Sequence, residues 1–326
     1  MFTNLRSVTK MMGAVSAAMI MTTGVALAEY PDRPVSWIVP FPPGGPTDVA
    51  SRVLANAFEK ELGQTFVVVN RSGASGSIGM RQVATAKPDG YTIGTLAGPS
   101  LLAPLMQESM PYDLTSDVEA TALAYLTPLI LVSNPEALPD VTDLESLARH
   151  GKNNDMSFTS PANGSIGHLT LELLSSELGF QGTHIGYQGS APAVTAVLSG
   201  EVPLMLADSV AVLQHIKAGT LRALAVTIDG YDELPDVPSL SNLGVQSAKT
   251  ASWGGIVTPA RTPADVVSRL SATMEKVLQD PEVMRRLVAV GAYPQYEDAE
   301  TLAARIAEDT AVWKQVISDN GLRALR

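Results

Sequence analysis

The chain has no cysteine. Disulfides, thiolate metal sites, cysteine nucleophiles and a lipid anchor on an N-terminal Cys are therefore excluded. Basic charge is scarce as well: 22 Lys and Arg stand against 33 Asp and Glu, a formal net charge of −11. Nothing here makes a general basic surface, so no nucleic-acid partner is expected. The four histidines, His150, His168, His184 and His215, lack metal-ligand spacing, and no metal is expected. The G-x-S-x-G elbow, H-E-x-x-H, Walker A and G-x-G-x-x-G are all missing. No catalytic residue is assigned and no cofactor is implied. Beyond the first 28 residues, no run is long and apolar enough to span a bilayer.

What is present reads as a folded protein. With 326 residues, the chain has room for two domains at about 150 residues each. Its 45% hydrophobic and 17% charged residues place it among globular chains, not disordered ones. The N-terminus reads as a leader. Arg6 and Lys10 are followed by an uncharged, apolar or small stretch over 11–25, then by Ala26-Leu27-Ala28. That is the pattern of a secretory signal peptide over residues 1–28, cleaved before Glu29. A membrane anchor is the alternative, but the apolar run is short for a span. The expectation is a soluble protein exported to a bacterial periplasm.

Strand-like and helix-like segments alternate along the rest, the signature of parallel α/β layers. Strands are expected over 35–39, 66–69 and 91–96, with an amphipathic helix over 47–62 carrying Val49, Val53, Leu54, Ala57, Phe58 and Leu62 on one face. A second group of units begins near Pro128 and runs to Thr227. It includes a helix over 142–150 with a Thr142/Glu145 capping box. Residues 228–246 look irregular. A strand over 253–257 and helices over 263–278, 281–290 and 300–318 follow. Those last segments lack strand partners of their own and should pack back on the first group. Residues 29–127 and 229–326 then form a discontinuous first domain, and 128–228 the second.

Three strand-to-helix loops are rich in glycine and hydroxyl residues. Unpaired amides at a helix start, with the helix dipole, favour an anion, and ligands of open α/β sheets sit beyond the carboxyl ends of the strands. The first loop holds Phe41, Gly44, Gly45, Pro46, Thr47 and Asp48. Asp48 has two readings: its carboxylate caps free amides of the first turn, or it recognises an ammonium or hydroxyl on a ligand. The second loop offers Ser160, Asn163, Gly164 and Ser165, with His168 one turn on, either structural or within reach of the anion. The third offers Gly189, Ser190 and Ala191. Asp208 ends a strand before a helix and is either an N-cap or a ligand acceptor. The G-x-x-G-x-x-G spacing of Gly73, Gly76 and Gly79 is read as structural.

Several motifs together resemble the Bug-type receptors of tripartite tricarboxylate transporters. They are IVPFPPGGPTD at 38–48, NRSGASGSIG at 70–79, KPDGYT at 87–92, NGSIGHL at 163–169, YQGSAPA at 187–193, HIKAGTLRALAVT at 215–227 and LPDVPS at 234–239. The resemblance covers the whole chain after the leader. It implies a type II, Venus-flytrap fold of the periplasmic-binding-protein kind, two α/β domains closing on a ligand. It implies a small carboxylate ligand: a di- or tricarboxylate, an acidic amino acid or an aromatic acid. The three loops named above, and Asp208, would hold it. It further implies delivery to a membrane permease of one large and one small subunit, by a monomeric, non-catalytic receptor. Gln188 and Ser190 stand where Lys and Gly are frequent in that family, and Ala207-Asp208-Ser209 where Phe-Asp-Asn is common. Those departures bear on which acid is bound. Two other readings share the binding chemistry or the scaffold: a ligand-presenting module for a membrane sensor kinase, and a periplasmic hydrolase.

Overall fold

The computed structural model describes residues 30–106, 110, 112–161, 163–187, 189–245 and 252–319. The expected signal peptide lies outside them.

Two mixed sheets organise the chain. The first has the order β11-β4-β10-β3-β1-β2. Its parallel part comes from β1 (Val35–Val39), β2 (Phe66–Asn70) and β3 (Thr92–Ala97), linked by α1 (Pro46–Leu62) and α2 (Ser77–Ala84). Its antiparallel part is β4 (Val118–Thr127), β10 (Ser252–Pro259) and β11 (Tyr293–Glu297). The second sheet has the order β7-β6-β8-β5-β9. Here β6 (Met156–Ser160), β7 (Gly182–Gly186) and β8 (Leu204–Asp208) run parallel, while β5 (Leu129–Ser133) is antiparallel to β8 and to β9 (Arg222–Val226).

The alternation points to parallel layers; each sheet has such a parallel part, joined by antiparallel strands into a mixed sheet. The cause is the crossing chain. Only Pro128 separates β4 from β5, so one nearly continuous strand leaves the first sheet and enters the second. The return path runs through 227–245, where Ser239 bridges Val226 and Tyr231 packs edge-on against Tyr293, ring centroids 5.1 Å apart.

The remaining helices are α3 (Gly98–Met106), α4 (Leu144–Asn153), α5 (Ile166–Leu178), α6 (Ser190–Leu198), α7 (Ser209–Lys217), α8 (Ala264–Val277), α9 (Pro281–Val288) and α10 (Ala299–Asp319). The helix α3 and the strands β4 and β11 are additional to the elements that the sequence pattern predicts. The expected capping box moves by one residue: Asp143, not Thr142, caps α4, and Ser146, not Glu145, completes the box. Asp143 takes the Ser146 amide at 2.8 Å, and a Ser hydroxyl reaches back to the cap amide as well as a Glu does.

The first core sits between sheet and α1. Val53, Leu54, Ala57 and Phe58 recur at helical spacing and are all buried. Phe58 lies edge-on to both Trp37 (5.4 Å) and Phe66 (5.2 Å). Full burial of each such ring contributes about 2 kcal/mol. Trp37 donates its indole N–H to Thr95 at 2.8 Å, so its one polar atom is satisfied. Gly63, at φ 69°, ends α1 in the left-handed conformation and returns its N–H to Glu59. As expected, the last helix packs back on the first sheet. Trp253 of β10 donates to buried Asp309 of α10 at 2.6 Å, and Trp313 of the same helix is buried.

Candidate functional site

The first loop joins β1 to α1. Its backbone cap is Gly45, with Pro46 in the first turn. Pro46 has no N–H to strand and its ring presets the helical φ. Val49 makes the first helical hydrogen bond, to Gly45. Ahead of it, the Thr47 and Asp48 amides have no partner among the described residues.

Asp48 caps no amide of the first turn; its carboxylate is taken up by the loop before it and by two side chains. Its side chain is 3% exposed. One carboxylate oxygen accepts from the Gly44 amide (2.9 Å) and from Arg52 (3.0 Å), and the other from Asn70 (2.8 Å). Asn70 also holds the Phe41 carbonyl at 3.0 Å. Burial raises the Asp48 pKa, but donors from Arg52, Gly44 and Asn70 outweigh it and hold the carboxyl below its ordinary value. Asp48 is thus the clamp that shapes the loop, and its oxygens are already engaged.

The glycines of the 70–79 motif are structural. A Cβ on Gly79 would sit 2.8 Å from the Arg71 carbonyl and from the Pro40 Cα. Gly76, at φ 95°, is wedged against Ser100, Pro40 and Phe41. Together they bring α2 tight beneath the first loop.

In the second sheet, Ser165 caps α5 by accepting from the His168 amide, and its hydroxyl donates to Ser160 at 3.1 Å. The Ser160 hydroxyl lies 2.8 Å from His184 Nε2. His168 and His184 stack with centroids 3.6 Å apart. His168 is 5% exposed, accepts the Gly164 amide on Nδ1 and faces Glu172 through Nε2 at 3.3 Å. It therefore props the loop, the structural alternative. Burial, then the neighbouring His168, lowers the His184 pKa to about 4, so this imidazole is neutral near pH 7. Asn163 is exposed, its side chain packed over Gly186, where a Cβ would meet Oδ1 at 2.1 Å. The Gly189 amide is consumed by the Pro161 carbonyl at 2.8 Å. The Ile166 and Gly167 amides of α5 and the Ser190 and Ala191 amides of α6 have no partner among the described residues.

Asp208 does not cap α7 with its side chain. It follows Leu204 and Leu206 on one face of β8, the face where Gly167 of α5 closes onto the Leu206 carbonyl. Desolvation raises its pKa, partly offset by its own amide, and among the described residues no cation is paired with it. Of the two sequence alternatives, Asp208 holds the N-cap position of α7 without side-chain capping.

The loops of the two sheets come together around α3. A Cβ on Gly98 would lie 2.2 Å from Ile166 Cδ1, so Ile166 seats in a notch at the start of α3. Gly164 likewise faces Met106. Contacts run from Phe41 to Gly76 to Ser100, and from Gly98 to Ile166. The first loop and the start of α5 are thus linked through α3. The sequence reading passed over the Ala97-Gly98-Pro99-Ser100 corner. Its signal was the one used elsewhere, a glycine and a hydroxyl between strand and helix. A separate cavity of about 680 Å³, lined by Leu101, Pro104, Tyr112, Asp113 and Lys314 among others, touches none of these loops.

Among the described residues no helix is long and apolar enough to cross a membrane, and no cluster of metal-ligating side chains occurs. Residues 50–322 match the model of the "Tripartite tricarboxylate transporter family receptor". The chain is 34% identical to Protein BugT of Bordetella pertussis over 317 residues, 95% of this chain and 97% of that one. Rpa4515 of R. palustris, solved with adipate, is 30% identical with a TM-score of 0.73, covering 91% of this chain and 100% of that one. MatC from Rhodopseudomonas palustris, solved with bound malate, is 27% identical with a TM-score of 0.69, covering 88% and 100%. The fold is that of the periplasmic solute-binding proteins, and the chain belongs to the tripartite tricarboxylate transporter family of receptors.

Proposed function

We propose that the chain is an extracytoplasmic, non-catalytic receptor for a small dicarboxylate. Residues 1–28 direct export to the periplasm and are removed. Residues 29–127 with 229–326 form one domain and 128–228 the other, hinged at Pro128 and at 228–231. The ligand lies in the seam between them. The monomeric receptor delivers it to a permease of one large and one small subunit, which reads the closed state.

One observation carries this reading. Ile166 seated against Gly98 sets the start of α5, with its unpaired first-turn amides, against the start of α3, and Phe41 of the first loop lies on the other side of α3 near Gly76 and Ser100. Two helix N-termini linked in this way suit an anion with a carboxylate at each end. Oriented amides supply the local positive field, so an acidic chain can bind an acid. Adipate and malate, held by two similar proteins, are both dicarboxylates. Thr47, with Gly45 and Pro46, faces one carboxylate; Ser165, with Ser160 and Asn163, and Ser190 with Ala191, face the other. Phe41, Gly44, Gly164 and Gly189 shape the loops. Asp208, lacking a partner, accepts a hydroxyl or ammonium where the ligand carries one.

The test is calorimetric titration of wild type, Thr47→Ala and Ser165→Ala with adipate and malate. Weaker binding in both variants supports the assignment. Unchanged affinity in both removes it.

A further inference from the structure

Tyr125 stands on β4, three residues before Pro128 and opposite Gly254 of β10. Its ring occupies the space that a side chain at 254 would need: a Cβ there would lie 2.2 Å from Cζ and 2.3 Å from the hydroxyl. The residue belongs to the α1 face of the sheet and is 4% exposed. Its hydroxyl lies beside the Thr47 side chain yet makes no well-formed hydrogen bond. Buried hydroxyls are nearly always paired, and an orphan destabilises the fold. With only the Thr47 side chain beside it and no hydrogen bond of good geometry, the phenol retains a donor that a further acceptor at this place would satisfy.

The surroundings say which kind. The Thr47 and Asp48 amides are likewise without acceptors. Three donors, two amides and one phenol, thus flank one helical turn, and the carboxylate of that turn, Asp48, is engaged by Gly44, Arg52 and Asn70. Burial, eased in part by Thr47, pushes the phenol up to about 12, so it is a neutral O–H donor at physiological pH. A carboxylate has lone pairs enough for all three donors.

We propose that Tyr125 is a further ligand-binding residue, donating its hydroxyl to the carboxylate held at the N-terminus of α1. This rests on the receptor reading above. Tyr125 then selects for an acceptor with two oxygens at this end of the ligand. Such a hydrogen bond, made to a charged group, is among the stronger ones.

The experiment is calorimetric titration of wild type and Tyr125→Phe with a panel of C4 to C6 dicarboxylates, plus ligand-free thermal unfolding of both. The expected result is an affinity at least about tenfold lower in Tyr125→Phe, with an unchanged or higher ligand-free Tm, because the orphan is gone. Equal affinity for an acid that wild type binds overturns the assignment and leaves the receptor reading intact. A lower ligand-free Tm with equal affinity assigns the hydroxyl to the fold and overturns it too. A wild type that binds none of the panel overturns the receptor reading, and Tyr125's role with it.

Discussion

Asn70 donates its side-chain amide to the Asp48 carboxylate at 2.8 Å and to the Phe41 carbonyl at 3.0 Å, fastening the first loop to the end of the neighbouring strand. Removing the Asp48 carboxylate leaves the Gly44 amide and the Asn70 side chain without their acceptor. Asp48→Ala should cost about 2–3 kcal/mol of stability and lower dicarboxylate affinity at least tenfold. Asn70→Ala should cost less, since Arg52 and Gly44 still hold Asp48. Urea unfolding with calorimetry on both variants checks this. An Asp48→Ala variant that binds as wild type does would refute the clamp.

Gly79 has no room for a methyl group. The atoms nearest a Cβ, the Arg71 carbonyl oxygen and the Pro40 Cα, both at 2.8 Å, are backbone and cannot swing aside. Gly79→Ala should destabilise by about 2 kcal/mol through overpacking, read as a lower urea midpoint with an unchanged slope. Wild-type stability would contradict the packing described.

Gly98 is a different case. The obstacle there is the end of the Ile166 side chain, which a rotamer change can move. Gly98→Ala should be nearly neutral, whereas Gly98→Val should hold the seam apart. The expectation for Gly98→Val is dicarboxylate affinity reduced about tenfold or more, with a larger radius of gyration by small-angle scattering in the presence of ligand. An unchanged affinity and radius would argue that this contact does not report closure.

Acid should destabilise the protein in two steps. The folded-state pKa of His184 is lowered from 6.5 to about 4. Between those values the unfolded chain binds a proton that the native state refuses. Its stability contribution is therefore full above about 6.5 and is lost as pH falls towards 4. Asp48 has a depressed native pKa, so its contribution is present above the ordinary carboxylate range and is lost only as pH falls further, through that native value. Tm measured from pH 7.5 to 3.5 should fall in the upper window for wild type and fall less there for His184→Asn. Identical profiles would show that His184 is not the group responsible.

Much of the fold was legible in local pattern. The helical spacing of Val53, Leu54, Ala57 and Phe58 placed α1 and its buried face, and the glycine-rich turns marked the strand ends. The mixed sheets were not legible. Whether β4 runs parallel or antiparallel depends on the chain crossing at Pro128, a non-local fact. The strand β11, Tyr-Pro-Gln-Tyr-Glu, has none of its residues fully buried and a proline inside, so its sequence carries little strand signal. At the site, the loops were found because glycine and hydroxyl residues cluster before helices. The use of each donor could not be read. Gly44, Gly164 and Gly189 give their amides to Asp48, His168 and Pro161, and only the folded geometry shows it. Tyr125 escaped notice because an aromatic in an apolar strand looks like core until its hydroxyl is seen to lack a partner.

Binding of a small dicarboxylate between the two sheets is the proposal on which the rest depends. The most direct test is thermal unfolding of the chain from Glu29 onward, with mono-, di- and tricarboxylates and acidic amino acids. It is run after unfolding and refolding to strip any co-purified ligand. A ligand that binds only the native state stabilises it by about 2.7 kcal/mol at a hundredfold excess over Kd. The account predicts a clear rise in Tm with C4 to C6 dicarboxylates and little or none with monocarboxylates of equal length. A flat response to every acid in the panel would contradict it.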